Sequence, residues 1–227
     1  MNKQVSIAID GPAGAGKSTM AKAVAREMGY YYVDTGAIYR TVAYFFSIYG
    51  VSPKDVDGIT RLIDEISLEI RYAEDGAQHM ILNGRDVTGE LRTPEISDLA
   101  SKFSAQKVVR DFLLDTQQDL ARKHSVVMDG RDIGTVVLPN ADVKIFLTAS
   151  PEVRAKRRWE EMRQKGDQKT TYNAVLADMK ERDQRDANRA VAPLKCAPDA
   201  VKLDTSGFSI EESIQAIEEI IRKKLGQ

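Results

Sequence analysis

Gly11-Pro12-Ala13-Gly14-Ala15-Gly16-Lys17-Ser18, with Thr19 behind it, is the stretch on which the fold turns. The octet fits G-x-x-x-x-G-K-[ST], a pattern with a physical reading. Glycines let successive main-chain N–H groups turn inward around phosphate oxygens. A helix starting near Lys17 adds its positive end, and the lysine reaches the β and γ phosphates. Ser18 offers a hydroxyl to Mg²⁺. The motif is informative only between a strand and a helix, and both flanks are present. Val5 to Ile9 is a short β-branched apolar run, and Lys17 to Met28 reads as a helix closed by Gly29. A glycine-rich turn with an incidental lysine would lack those flanks. The loop fixes the donor side of a phosphoryl transfer and leaves the acceptor open: water, a hydroxyl, a nucleotide or none.

Moving outward, Tyr30 to Val33 with Asp34 behind it, Ser125 to Met128 with Asp129 behind it, and Val143 to Leu147 repeat the pattern of a buried strand ending in polar residues. Helical stretches separate them. This alternation predicts an α/β protein with a doubly wound parallel sheet, the ligand lying at the carboxyl ends of the strands. Residues 67–89 break it, because Ser67 to Tyr72 and His79 to Leu82 are strand-like runs joined through Glu74, Asp75 and Gly76. A hairpin has no place between parallel strands, so residues 51–92 are expected to form a small inserted lobe in a core of residues 1–50 and 93–227. Pro94 to Lys123 reads as helical, with Leu99, Phe103, Val109, Leu113 and Leu120 on its apolar face. Ala200 to Leu203 and Ile210 to Leu225 close the chain as a strand and an amphipathic helix.

The apolar share of 42% over 227 residues suffices for one α/β core with a small insertion. Lys plus Arg number 33 against 34 Asp plus Glu, so no general field draws in nucleic acid. No apolar run has the length of a membrane helix, and residues 1–10 lack the basic start and apolar middle of a signal peptide. A monomer working in the cytosol is expected. With Cys196 the lone cysteine and His79 and His124 the only histidines, a disulfide framework and a Cys/His zinc site are excluded.

Chemistry must then rest on Lys, Arg, Asp and hydroxyls. Residues 150–195 carry 12 Lys and Arg against 8 Asp and Glu, which concentrates positive charge late in the chain. Arg182, Arg185, Asp186 and Arg189 share one helical face by their spacing, and Arg154, Arg157 and Arg158 cluster one helix earlier. Any one of these could be a solvated helix face with i, i+4 pairs. Two such faces joined by the polar segment Gly166 to Thr171 instead read as a hinged lid over charge, spanning about residues 154–185. Arg40 beyond the second strand, and Arg131 and Asp132 beyond Asp129, fall on the same ligand side. Planar guanidinium groups meet phosphates in bidentate geometry, as charge on a transferring phosphoryl group requires. A hydroxyl acceptor also needs a base, for which Asp34 or Asp129 could serve, whereas a phosphate monoester with a second pKa of about 6 needs none.

These residues resemble the bacterial cytidylate kinases over nearly the whole chain. The resemblance rests on Ile9-Asp10-Gly11-Pro12, on Asp34-Thr35-Gly36-Ala37-Ile38-Tyr39-Arg40 and on Leu82-Asn83-Gly84-Arg85-Asp86-Val87. It continues through Asp129-Gly130-Arg131-Asp132-Ile133-Gly134-Thr135-Val136-Val137, then Glu181-Arg182-Asp183 and Arg189-Ala190-Val191-Ala192-Pro193-Leu194. It implies an ATP- and Mg²⁺-dependent enzyme converting CMP and dCMP to their diphosphates. The implied build is a P-loop core, an NMP-binding insertion and a mobile helical lid. By the same resemblance Arg40, Arg131 and Arg189 hold the CMP phosphate, and Arg182 and Asp186 neighbour the ribose and phosphate. Ser101, Arg110 and Asp132 read cytosine, and Arg154 and Arg158 stand where lid arginines of nucleotide kinases stand. Asp34, Thr35 and Tyr39 fall on the acceptor side, Thr35 standing where some family members carry serine. Two rivals remain from the residues alone: a kinase of another monophosphate or small acid, such as UMP or shikimate, and a P-loop switch with no acceptor.

Overall fold

The computed structural model describes residues 4–226. β1 (Ser6–Asp10) runs through the glycine loop into α1 (Lys17–Met28), followed by β2 (Tyr31–Asp34), α2 (Thr35–Ile48) and the short α3 (Val56–Leu62). Next come β3 (Leu68–Tyr72), β4 (Gln78–Leu82), β5 (Arg85–Asp86), α4 (Pro94–Phe103) and α5 (Lys107–Lys123). The chain finishes with β6 (Val126–Gly130), β7 (Val143–Thr148), α6 (Pro151–Gln164), α7 (Tyr172–Asn188), β8 (Val201–Asp204) and α8 (Ile210–Leu225). Strands β2-β6-β1-β7-β8 form one sheet in that order, every pair parallel, as the alternation predicts.

Period-two burial explains why both sheet faces are covered. Ile7 and Ile9 of β1 join Val24 of α1 and Ile217 and Ile221 of α8 in one core layer. Ala8, between them, points into the other layer with Val42 and Phe46 of α2 and Leu113 of α5. A Cβ at Gly11 would lie 1.9 Å from the Leu147 carbonyl, so only glycine lets β1 leave the sheet beside β7.

β3, β4 and β5 make a separate antiparallel sheet, its hairpin closed by an Ala73–Ala77 turn. Its buried residues Met80 and Leu82 pack with Ile59, Val87 and Leu91 into the same apolar layer as α2. β5 is a two-residue strand, too short to show as a strand-like run in the sequence. The helical stretch read from Pro94 to Lys123 is two helices. The chain breaks after Phe103 because Ser104 turns its hydroxyl back to the Ser101 carbonyl, while the Gln106 amide donates to the Pro53 carbonyl at 2.6 Å.

α6 and α7 pack as an antiparallel pair around Ala155, Val175 and Met179. α7 also lies on the glycine loop, where a Cβ at Gly14 would meet Met179 at 2.9 Å. Among the described residues no helix is long and apolar enough to cross a membrane.

Candidate active site

A cleft of about 1090 Å³ opens at the carboxyl ends of β1, β2 and β6, where a doubly wound sheet places its ligand. One end is the glycine loop. Gly16 caps α1 in the left-handed region, at φ 84°, and Lys17 opens the helix. The Lys17 ammonium is buried and donates to the Pro12 carbonyl at 2.7 Å. Burial, aided by the charge of Arg131, pushes it down to about 7. The Ser18 hydroxyl donates to one Asp129 oxygen at 2.9 Å and the Tyr32 hydroxyl to the other, also at 2.9 Å. The Thr35 hydroxyl donates to the Asp129 main-chain carbonyl at 2.7 Å. Burial, with the nearby charge of Asp34, raises the Asp129 carboxyl to about 6.

The far end is made of guanidinium groups. Asp34 caps α2 by accepting from the Ala37 N–H at 2.8 Å, and its other oxygen accepts from Arg40 at 2.9 Å. Asp186 of α7 accepts from the Ser101 hydroxyl and from Arg131 Nε, each at 3.0 Å. Arg182, one turn earlier on α7, is different. Its buried Nε has no hydrogen-bond partner among the described residues, and burial plus the charge of Arg131 brings the guanidinium down to about 10. Arg40, Arg131, Arg182 and Arg189 all border the cleft. An anion placed among them would supply the missing acceptor and relieve their mutual repulsion.

Asp132 is fully engaged. One oxygen accepts from Arg189 at 2.9 Å and the other from Arg110, whose guanidinium also donates to the Ser104 carbonyl and lies 5.5 Å from the centre of the Tyr39 ring. Burial raises the Tyr39 hydroxyl to about 12. Ser101, Asp132 and Tyr39 border the cleft, whereas Arg110 stands behind Asp132 and does not.

The lid arginines separate in the same way. Arg154 is buried behind the loop, donating to the carbonyls of Ala149 and Ala13, both at 2.8 Å, and pairing with Asp183 at 2.7 Å. Arg158 borders the cleft, 42% exposed and paired with Glu161 at 3.0 Å.

Two contributors, Asp10 and Tyr32, were given no role by sequence reasoning, and a third, Arg157, was read only as part of an arginine helix face. Asp10 accepts from the Ile133 and Gly134 N–H groups at 2.8 and 2.7 Å and so fixes the turn that carries Asp132. Its place between an apolar strand and Gly11 was a readable signal. Tyr32 sits in an apolar run with nothing to mark its hydroxyl. Arg157 borders the cleft and donates to the Thr205 carbonyl at 2.8 Å.

Comparison with known proteins carries the assignment further. A family model described as cytidylate kinase matches residues 7–223. The cytidylate kinase of Clostridium tetani is 46% identical over 222 residues, 98% of this chain and 96% of that one. That of Exiguobacterium sp. is 48% identical over 223 residues, 98% of this chain and 99% of that one. A solved structure of an uncharacterized protein from Eubacterium ventriosum, 16% identical, covers 97% of this chain and 99% of its own with a TM-score of 0.52, and so shares the fold alone. A match from β1 into α8, with relatives of near-equal length on either side of the comparison, makes this chain a member of the cytidylate kinase family.

Proposed function

We propose that this protein transfers the γ-phosphoryl group of ATP onto the phosphate of CMP or dCMP, giving ADP with CDP or dCDP. The observation that carries this reading is the pairing, across one cleft, of a lysine-bearing glycine loop with a second cluster of arginines that includes the unpartnered Arg182 Nε. A hydrolase or a switch has no use for a second anion site; a kinase of monophosphates does.

In this reading the loop N–H groups and Lys17 hold the ATP phosphates, while Arg40, Arg131, Arg182 and Arg189 hold the acceptor phosphate in line. Ser101, Asp132 and, from behind, Arg110 shape the pocket for cytosine, with residues 51–92 flanking the acceptor and residues 154–185 acting as the lid. Asp34 and Asp129, the carboxylates that could have served as bases, are instead committed to hydrogen bonds. That suits an acceptor already ionised near neutral pH.

For Mg²⁺ the donor set fits a hard cation held jointly with phosphate oxygens: the Ser18 hydroxyl faces the Asp129 carboxylate. Among the described residues no cluster of three acidic, His or Cys side chains could cage a metal alone. When bound, Mg²⁺ neutralises charge on the β and γ oxygens. The test is ADP release with CMP, dCMP, UMP, AMP and shikimate side by side. Turnover dependent on CMP and dCMP is expected. Release independent of any acceptor, or highest with shikimate, would overturn the proposal.

A further inference from the structure

Among the described residues β2 is an edge strand of the parallel sheet, paired only with β6. In such a strand alternate residues send both main-chain groups to one side. The Tyr31 N–H goes to the Ser125 carbonyl on the β6 side, so Tyr32 and Asp34 face the free edge. Among the described residues no strand covers that edge; two side chains of the β3–β4 hairpin do. The Gln78 amide takes both main-chain groups of Asp34, its Oε1 accepting from the Asp34 N–H at 2.8 Å and its Nε2 lying 3.3 Å from the Asp34 carbonyl oxygen. The Tyr72 hydroxyl donates to the Tyr32 carbonyl at 3.1 Å. Tyr72 and Gln78 are cross-strand partners in the hairpin register, so the two contacts act as one clamp.

What the clamp grips matters. Asp34 is the junction of β2 and α2: its carboxylate caps the helix and holds the Arg40 guanidinium on the cleft wall. A side chain of the inserted hairpin thus fixes the backbone from which an acceptor-side arginine is aimed. We infer that Gln78 is a positioning residue for the acceptor, tying the inserted hairpin to Asp34 and through it to Arg40. Its two contacts to Asp34 are with backbone atoms, while Nε2 also lies 3.1 Å from the Met80 sulfur, so the clamp sets geometry without adding charge, and only an amide of this length offers donor and acceptor together.

The inference rests on the proposed function, and the experiment separates the two. Gln78→Met keeps length and apolar fit beside Met80 while removing both contacts to Asp34 along with the weak one to the Met80 sulfur; Gln78→Glu, ionised, keeps the acceptor and sets it against the Asp34 carbonyl. Loss of one to two hydrogen bonds that act on one substrate's site should raise KM for CMP about fivefold, with KM for ATP unchanged within about twofold. In parallel, NMR hydrogen exchange at the Asp34 amide should speed up by at least about tenfold in Gln78→Met, relative to Val33 on the same strand. KM values that rise together for both substrates, or an unchanged KM for CMP, would reduce Gln78 to a stability contact and overturn the inference. Unchanged protection of the Asp34 amide would overturn the clamp itself. A wild-type protein without CMP-dependent turnover would defeat the proposed function, leaving the exchange experiment to decide the clamp.

Discussion

The proposed donor end of the cleft comes from one continuous stretch, the glycine loop and the first turn of α1, whereas the proposed acceptor end gathers Arg40 from α2, Ser101 from α4, Arg131 from beyond β6, and Arg182 and Asp186 from α7. In the proposed function the two ends hold anions by different means. At the first, main-chain N–H groups and a helix N-terminus do most of the work, with Lys17 the lysine within reach. At the second, guanidinium groups are fixed by carboxylates drawn from other elements, as Arg131 is by Asp186 and Arg189 by Asp132. A site of the first kind exists once a strand, a turn and a helix are formed. A site of the second kind exists only when distant helices are seated together, and α7, which carries two of its members, belongs to the proposed lid.

The largest effect is expected of Lys17→Ala. Loss of the loop lysine should lower kcat/KM by at least about 1,000-fold, with the far-ultraviolet circular dichroism unchanged. Near-wild-type turnover in a folded variant would remove the donor assignment.

At the other end, Arg182→Met should lower kcat/KM for CMP by about 100-fold while raising Tm by about 3 °C, because it deletes a buried charge that lacks a full set of partners. A fall in both activity and Tm would make Arg182 a structural residue. Thermal melts and steady-state kinetics on the same preparation decide between them.

Asp132→Asn acts on the choice of base. The carboxylate oxygens of Asp132 accept from two arginines, and an amide can accept at only one of its two positions. The ratio of kcat/KM for CMP over UMP should narrow by at least about tenfold. An unchanged ratio in an active variant would leave Asp132 as scaffold.

The smallest effect concerns Asp10, whose carboxyl burial raises from 3.8 to about 6. The folded state holds this proton more tightly than the unfolded chain does. Its contribution to stability is therefore complete below about pH 4 and is lost as pH rises through about 6. Asp10→Asn should remove that dependence, so its Tm should change less than the wild type's between about pH 4 and pH 7. Parallel curves would mean that other groups govern the window.

The same contrast explains what could be read from the sequence. The phosphate loop was legible because its residues are consecutive and its flanks periodic. The hairpin was legible because a turn interrupts two strand-like runs. For the proposed acceptor end, strand ends and helix faces put the arginines on the ligand side, but Ser101 and its grouping with Asp132 and Asp186 came only through the family resemblance, since nothing in their spacing announces that α4, the β6 loop and α7 converge. The break between α4 and α5 was hidden for another reason. It depends on a tertiary partner, the Pro53 carbonyl that accepts from Gln106, and on Ser104, whose main-chain oxygen and hydroxyl accept from Arg110 and Arg189. Arg154 illustrates the limit on side-chain roles: its place on a helix face was readable, but its burial against Ala13 and Asp183 was not.

Closing the β2 edge with side chains has a consequence for the protein in a crowded solution. A free strand edge is a template on which a second chain can add, and many sheets guard theirs with charge, proline or a bulge. Here the Tyr32 carbonyl and both main-chain groups of Asp34 are already taken by Tyr72 and Gln78. A further strand cannot pair with those groups, and the hairpin serves as a stopper against self-association as well as a brace for Asp34.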